Sequence, residues 1–268
     1  MEQLEKYSQA LATRLGESVQ IKEPIQLYEP LSYIVSLGGK RLRPILTLMS
    51  CEFFGSNYEK AMDAALAIEL FHNFSLIHDD IMDNAPLRRG ETTVHEKWDL
   101  NTGILSGDAM LILAYQFFEN YKPSLFQELA KLFSKTALQV CEGQQYDVDF
   151  ESREDVSLSE YIKMIDYKTA VLVGASMKMG AIVAGASTSC QENIYTFGRN
   201  LGIAFQLQDD YLDAFGNPRN FGKQLGGDII SNKKTILYLL AMEKATEAEI
   251  NELTGLYSIQ PENPSDKI

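Results

Sequence analysis

The sequence predicts an all-α protein, and three observations carry that expectation. The eight prolines fall at 24, 30, 44, 86, 123, 218, 261 and 264, leaving the windows 45–85 and 124–217 without one. A proline inside a helix costs about 3 kcal/mol, so both windows are open to long helices. Within them apolar and small residues recur at spacings of three and four. Ala64, Ala65, Ile68, Phe71, Phe74 and Ser75 do so in the first, and Phe126, Leu129, Leu132, Phe133, Thr136, Ala137, Val140 and Cys141 in the second. That is the period of a buried helix face. Strict alternation is scarce, and no Asn-Gly or Asp-Gly turn separates two β-branched runs.

Taken in order, helices are predicted near 2–20, 25–37, 40–54, 58–83, 101–119, 123–150, 158–167, 169–185, 191–216, 229–244 and 246–256. Breaks fall at Gly38-Gly39, Asn84–Gly90, Tyr121–Pro123, Glu151–Asp155 and Phe215–Gly227. No internal repeat or low-complexity linker divides the chain, so residues 1–268 are predicted to form one all-helical domain, with 254–268 as a polar tail.

The net charge is -13, from 24 Lys+Arg against 37 Asp+Glu. Nucleic-acid and anionic-membrane binding both need a basic face, so this balance argues against them. It does not exclude small anions, because a few placed cations or a bound metal reverse the local field. Cys51, Cys141 and Cys190 lie far apart, form no CxxC and suit a reducing compartment. The N-terminus lacks the basic and apolar regions of a signal peptide. No stretch approaches the roughly 18 apolar residues of a membrane span. The expectation is a cytoplasmic protein without stable membrane insertion.

Asp79-Asp80-Ile81-Met82-Asp83 stands at the end of an apolar helix. There residues 79 and 83 share a face, about 5.4 Å apart. Alone, such a cluster reads as a solvated helix end, although the C-terminal end of a helix is the wrong end for negative charge. Asp209-Asp210-Tyr211-Leu212-Asp213 repeats the spacing, again at the end of an apolar helix. Two oxygen-only clusters suit Mg²⁺, which takes one or two carboxylates and leaves room for phosphate oxygens. Gly38-Gly39-Lys40-Arg41-Leu42-Arg43-Pro44 supplies a glycine turn that is predicted to open a helix with Lys40 and Arg43 on one face, a phosphate site by ordinary electrostatics. It lacks the P-loop spacing. Arg88-Arg89-Gly90 puts two more guanidiniums directly after the first aspartate cluster. His72, seven residues before Asp79, lies only about 20° from it on an ideal wheel. Glu69 and His72 make one ExxH pair, but a di-iron bundle needs two pairs with further Glu, and no second pair is present.

With these residues the sequence resembles the trans-isoprenyl diphosphate synthase (polyprenyl synthetase) family, most closely its short-chain geranylgeranyl and farnesyl diphosphate synthases. The likeness runs from GGKRLRP at 38–44 through both aspartate motifs, Lys168-Thr169 and Phe205-Gln206, to NKKT at 232–235. It implies a single large helical bundle around a central active-site cavity, usually a homodimer. It implies Mg-dependent 1′-4 condensation of isopentenyl diphosphate with an allylic diphosphate (dimethylallyl, geranyl or farnesyl), using three Mg²⁺ ions per site, with Mn²⁺ as a substitute. Asp79, Asp83 and Asp209 would ligate the metal, with Asp80, Asp210 and Asp213 acting directly or through metal-bound water. Arg88, Lys168 and Lys223 would hold the allylic diphosphate, with Asp147 orienting Arg88. Lys40, Arg43, His72 and Arg89 would hold isopentenyl diphosphate, Phe205 would pack on its hydrocarbon, Thr169 and Gln206 would place oxygens near the developing cation, and Lys233 would close the site.

In the family, product length follows the bulk before the first motif, here Phe71, Phe74 and Ser75. An aromatic at 74 but not at 75, with no insertion in the motif, resembles geranylgeranyl (C20) synthases. Farnesyl (C15) synthesis is the alternative, and a non-catalytic subunit of a heteromeric synthase fits less well, because such chains lose aspartates or basic residues that are present here. A class I terpene cyclase would carry a different second motif and no GGKRLRP. The likeness also implies further helices after Leu256, so the C-terminus is expected to be either short or incomplete.

Overall fold

Helix is favoured wherever the proline-free, three-and-four-spaced sequence runs, and the computed structural model, which describes residues 2–216 and 226–258, follows it. Helix α1 (Glu2–Ser18) buries Tyr7, Leu11 and Leu15, one per turn. Helix α2 (Ile25–Ser36) follows Pro24, and α3 (Leu42–Phe53) follows the glycine turn. A 3₁₀ turn, Tyr58–Ala61, leads into α4 (Met62–Met82). A two-stranded ribbon then pairs β1 (Leu87–Arg88) with β2 (Glu91–Thr92), Leu87 opposite Thr92 and Arg88 opposite Glu91. Its turn residues, Arg89 and Gly90, both have positive φ (55° and 82°), as a two-residue hairpin of type I′ requires. Next come α5 (Val94–Lys97) and α6 (Leu100–Phe118), the latter capped by Asp99, whose side chain accepts from Thr102 N–H at 2.9 Å. Helix α7 (Pro123–Ser152) begins on proline, whose missing N–H costs nothing at a first helical position. A Ser157/Glu160 capping box starts α8 (Leu158–Ile165). A π-helical turn, Asp166–Ala170, joins it to α9 (Val171–Val183), and α10 covers Thr188–Phe215. The last described elements are α11 (Gly227–Ile230), α12 (Ile236–Lys244) and α13 (Glu247–Ser258).

The all-α expectation is borne out, with four local corrections. The helix predicted from 40 starts at Leu42, because Gly38, Gly39 and Arg41 all take positive φ (72°, 122° and 43°). Lys40 therefore lies ahead of the helix and does not share a helical face with Arg43. The helix predicted over 229–244 is two, α11 and α12, broken around Asn232, whose φ is 56°. The predicted gap between 167 and 169 is filled by the π turn. The β ribbon within the predicted 84–90 break was not expected.

The chain divides into two compact units, Met1–Ala137 with Val173–Thr196, and Leu138–Leu172 with Phe197–Ile268. In the first, α4 is apolar nearly all round and buries Leu66, Ile68, Leu70 and Phe71 to 1 % exposure or less. Phe133 meets Phe71 and Phe118 edge-on at 5.2 Å each and Tyr115 at 4.8 Å. Gly180 of α9 approaches the Thr47 carbonyl and Cys51 N–H of α3 so closely that a Cβ could not fit, and Ser50 donates to the Met177 carbonyl at 2.6 Å. In the second unit, Phe150, Val156, Tyr161, Met164 and Ile165 form a core beneath Ile203, Leu207, Ile236 and Leu239. Among the described residues no helix is long and apolar enough to cross a membrane.

Candidate active site

In the first unit the site is built on α4. Glu69, His72, Asn73, Asp79, Asp80 and Asp83 all fall within an arc of about 120° at 100° per residue, so α4 carries a polar stripe along one face, with Asp63, Ser75 and His78 outside it. At its C-terminal end Asp83 caps the helix, its N–H donating to the Asp79 carbonyl at 2.9 Å, with its side chain exposed. Asp79 is half-buried one turn earlier. Asp80, 1 % exposed, accepts Arg88 Nε at 2.8 Å and Nη2 at 2.6 Å. Burial pushes its carboxyl above the ordinary value even though Arg88 pulls the other way. The three aspartates thus divide: Asp80 anchors an arginine, and the flanking pair lie one turn apart toward solvent.

At the other end of the stripe Arg43 Nη1 lies 3.2 Å from His72 Nε2. A guanidinium only donates, so this ring nitrogen accepts and His72 is neutral. Burial first, then the charges of Arg43, Arg89 and Arg88, hold its pKa well below the usual imidazole value. The guanidinium of Arg89 donates to the Gly38 carbonyl and packs on Gly39, where a Cβ would come within 2.8 Å of Cζ. Glycine is needed at 39 twice over, for this contact and for its φ of 122°. Arg43, His72 and Arg89 are thus brought together beside the Gly38-Gly39 turn, with exposed Lys40 next in sequence.

Phe71 belongs to the aromatic core, while Phe74 is half-buried with its ring 5.5 Å from Phe71 and 4.7 Å from His78. Ser75 donates back to the His72 carbonyl at 2.8 Å.

In the second unit Lys168 and Thr169 sit on the π turn. Lys168 Nζ donates to Asp147 Oδ2 at 2.5 Å. Gly143, one turn before Asp147 on α7, faces the Lys168 backbone with no room for a Cβ. Asp166, at the head of the π turn, accepts a forked pair from Arg199, with Nε at 2.9 Å. Thr169 Oγ1 donates to Gln206 Oε1 at 3.4 Å, and Gln206 Nε2 donates to Asp210 Oδ1 at 3.0 Å. The buried Tyr161 hydroxyl donates to Asp210 Oδ2. Asp213 accepts the Asp228 N–H at 3.1 Å, and Asp209 is half-buried. A cleft of about 100 Å³ opens beside this network, lined by Asp147, Lys168, Thr169, Gln206, Asp210, Lys233 and Lys234 among others. Lys234 is tied to the Phe150 carbonyl at 3.0 Å, and Phe205 is 51 % exposed. Lys223 lies outside the described residues.

The partner expected to orient Arg88 was Asp147. Here Arg88 bonds Asp80, and Asp147 bonds Lys168. Tyr161, Glu69 and the Asp166–Arg199 pair carry no motif that marked them in advance, apart from the ExxH spacing of Glu69. Among the described residues no three His, Cys, Asp or Glu side chains group as a ready metal cage. Carboxylate pairs still fit a hard cation that takes one or two protein oxygens and completes its shell with water and phosphate.

The Polyprenyl synthetase family model matches residues 24–268. A geranylgeranyl diphosphate synthase of Methanosarcina mazei is 38 % identical over 252 residues, covering 93 % of this chain and 78 % of that protein. The crystal structure of a geranylgeranyl pyrophosphate synthase is 55 % identical and superposes with a TM-score of 0.95, covering 98 % of this chain and 82 % of the other. A polyprenyl synthase from Caulobacter crescentus, solved with calcium and isoprenyl diphosphate, is 27 % identical with a TM-score of 0.88 over 99 % and 81 % of the two chains. Both aspartate motifs, the glycine turn with its arginines and the Lys168-Thr169 turn lie inside the matched range, and the chain belongs to the polyprenyl synthetase family of prenyltransferases.

Proposed function

We propose that the chain, as one catalytic domain over residues 1–268, condenses isopentenyl diphosphate 1′-4 with an allylic diphosphate, and that its main product is geranylgeranyl diphosphate (C20). The observation that carries this reading is the cationic corner of the first unit, Arg43 and Arg89 beside the Gly38-Gly39 turn, in a sequence that carries two DDxxD carboxylate sets. The relatives named for that product support its length, as does an aromatic at 74 with a serine at 75.

Magnesium, for which Asp79, Asp83 and Asp209 are the proposed ligands, three ions per site, supplies Lewis-acid neutralisation of the allylic leaving group. A diphosphate bound with a divalent ion in the Caulobacter crescentus protein is consistent with this. The chain's own cations do the rest of the electrostatic work. Asp80 holds Arg88, and Asp147 holds Lys168, in fixed orientation for the allylic diphosphate, with Lys223 as a third cation. Lys40, Arg43, His72 and Arg89 take isopentenyl diphosphate, and Phe205 lies along its hydrocarbon. Thr169 and Gln206 present oxygens to the developing carbocation. Lys233 closes over the site and keeps water from the cation. The released diphosphate takes the proton that restores the alkene.

Exposed Ile104, Leu105 and Ile112 on α6 support a homodimer. The free thiols of Cys51, Cys141 and Cys190 support a cytoplasmic protein.

The test is incubation with Mg²⁺, isopentenyl diphosphate and dimethylallyl, geranyl or farnesyl diphosphate, followed by chromatography of the dephosphorylated products. A C20 alcohol is expected. Absence of product with every primer overturns the enzyme reading, and C15 alone overturns the chain length. Asp79→Ala and Asp209→Ala are each expected to lower turnover at least about 10³-fold, since several kcal/mol of charge stabilisation is lost. Circular dichroism should be unchanged, and loss of helicity would instead mark the aspartates as structural.

A further inference from the structure

Glu69 is a carboxylate to which the proposed reaction gives no task. It is 3 % exposed near the middle of α4, where an uncompensated charge is strongly unfavourable. Its Oε1 accepts from Asn73 Nδ2 at 3.3 Å, and the same amide nitrogen donates to the Glu69 carbonyl at 2.8 Å. Its Oε2 is buried and makes no hydrogen bond among the described residues. Arg43 presents the complementary situation: its Nε is buried without an acceptor, while Nη1 meets His72. Arg41, Arg43 and Arg89 all lie within electrostatic reach of Glu69. Burial pushes the Glu69 carboxyl up, and Asn73 and these arginines pull it back. The arginines would repel one another, and His72, being neutral, offers them no countercharge.

We propose that Glu69 is a positioning residue for the homoallylic diphosphate, its buried carboxylate holding the guanidiniums of Arg43 and Arg89 beside the Gly38-Gly39 turn. The proposal rests on reading Lys40, Arg43, His72 and Arg89 as the isopentenyl diphosphate site. Glu69 stands one turn before His72 and Asn73 on the same face, so the helix sets its place. Asn73 tethers the carboxylate, whose charge acts on the nearby guanidiniums, while Arg43 Nη1 stays on His72. A diphosphate then meets donors already ordered, and less side-chain freedom is lost on binding.

Simple charge counting gives the opposite sign. Removing a negative charge beside an anion site should tighten binding by Coulomb's law. The direction of the effect therefore separates positioning from bulk electrostatics.

The experiment uses Glu69→Gln, Glu69→Asp and Asn73→Ala in the full chain, with steady-state kinetics in each substrate at saturation of the other. Calorimetric titration with inorganic diphosphate in the absence of metal gives a readout independent of turnover. For Glu69→Gln the expected result is a rise of about tenfold or more in KM for isopentenyl diphosphate and a matching loss of inorganic diphosphate affinity. KM for the allylic substrate should stay within about twofold, and Glu69→Asp should recover part of the loss. Asn73→Ala, which keeps the charge and removes its tether, should raise the same KM by less. Unchanged or tighter diphosphate binding in Glu69→Gln overturns the proposal, as does a parallel rise of both KM values with loss of helicity. If Glu69→Gln does not fold, an unchanged KM in Asn73→Ala overturns it. Failure of the functional reading is seen separately, as wild-type protein without product.

Discussion

Asp210 is a buried carboxylate whose two oxygens are both engaged, Oδ1 by Gln206 and Oδ2 by the Tyr161 hydroxyl, with the Ile236 N–H at 3.5 Å. Burial and the neighbouring Asp210 hold the Tyr161 phenol far above its ordinary pKa, so it stays protonated and donates. Only the NH₂ end of an amide can face a carboxylate, so this pair also fixes Gln206, with Oε1 toward Thr169. Tyr161→Phe leaves Asp210 a donor short in a buried setting and is expected to cost about 1–3 kcal/mol of stability. Urea unfolding checks this, and an unchanged midpoint would show the bond to be idle. The DDYLD spacing was legible in the sequence. Which aspartate bonds the protein was not, because Tyr161 lies 49 residues away along the chain.

The π turn Asp166–Ala170 shows how an element can be misread while its residues are read correctly. Lys168 and Thr169 were singled out by motif, but one helix was predicted to end at 167 and the next to begin at 169. A π turn holds one more residue than an α turn, so helix continues through 168 where two helices were expected. Contacts that hold the turn include the Arg199 fork on Asp166 and the close approach of Gly143 to the Lys168 backbone. Gly143→Ala drives a methyl into that backbone and is expected to destabilise by about 1–3 kcal/mol. Because Asp147 sits one turn further along α7, the substitution is also expected to lower kcat by displacing Lys168. Chemical denaturation and steady-state kinetics on one preparation test both, and a variant as stable and active as wild type refutes the packing account. The start of α3 failed for a related reason. Positive φ at Gly38, Gly39 and Arg41 is a backbone state that residue identity permits but does not impose.

At the scale of the molecule, the helical class was legible because proline placement and apolar period act over long windows, where single exceptions average out. Assembly was less legible. Helix α6 has enough apolar residues for two faces, and the structure separates them: Met110, Ala114 and Phe118 turn inward, while Ile104, Leu105 and Ile112 are 40 %, 60 % and 59 % exposed. A pair of such stripes is self-complementary across a two-fold axis. For the proposed homodimer, the double substitution of Ile104→Glu and Ile112→Glu is expected to halve the sedimentation-derived mass while leaving helicity intact. A wild-type protein that already sediments as a monomer would assign the stripe elsewhere.

The polar stripe on α4 also acts as a ruler. His72, at the cationic corner, and Asp79, in the aspartate motif, stand seven residue steps apart on one unbroken helix, which fixes about 10.5 Å of axial rise between them at 1.5 Å per residue. Reacting carbons must meet at about 3–3.5 Å. One residue added between 72 and 79 would lengthen the gauge by about 1.5 Å and turn one end by about 100°. The spacing of the two proposed binding places is thereby written into the pitch of a helix, and it cannot drift by small steps.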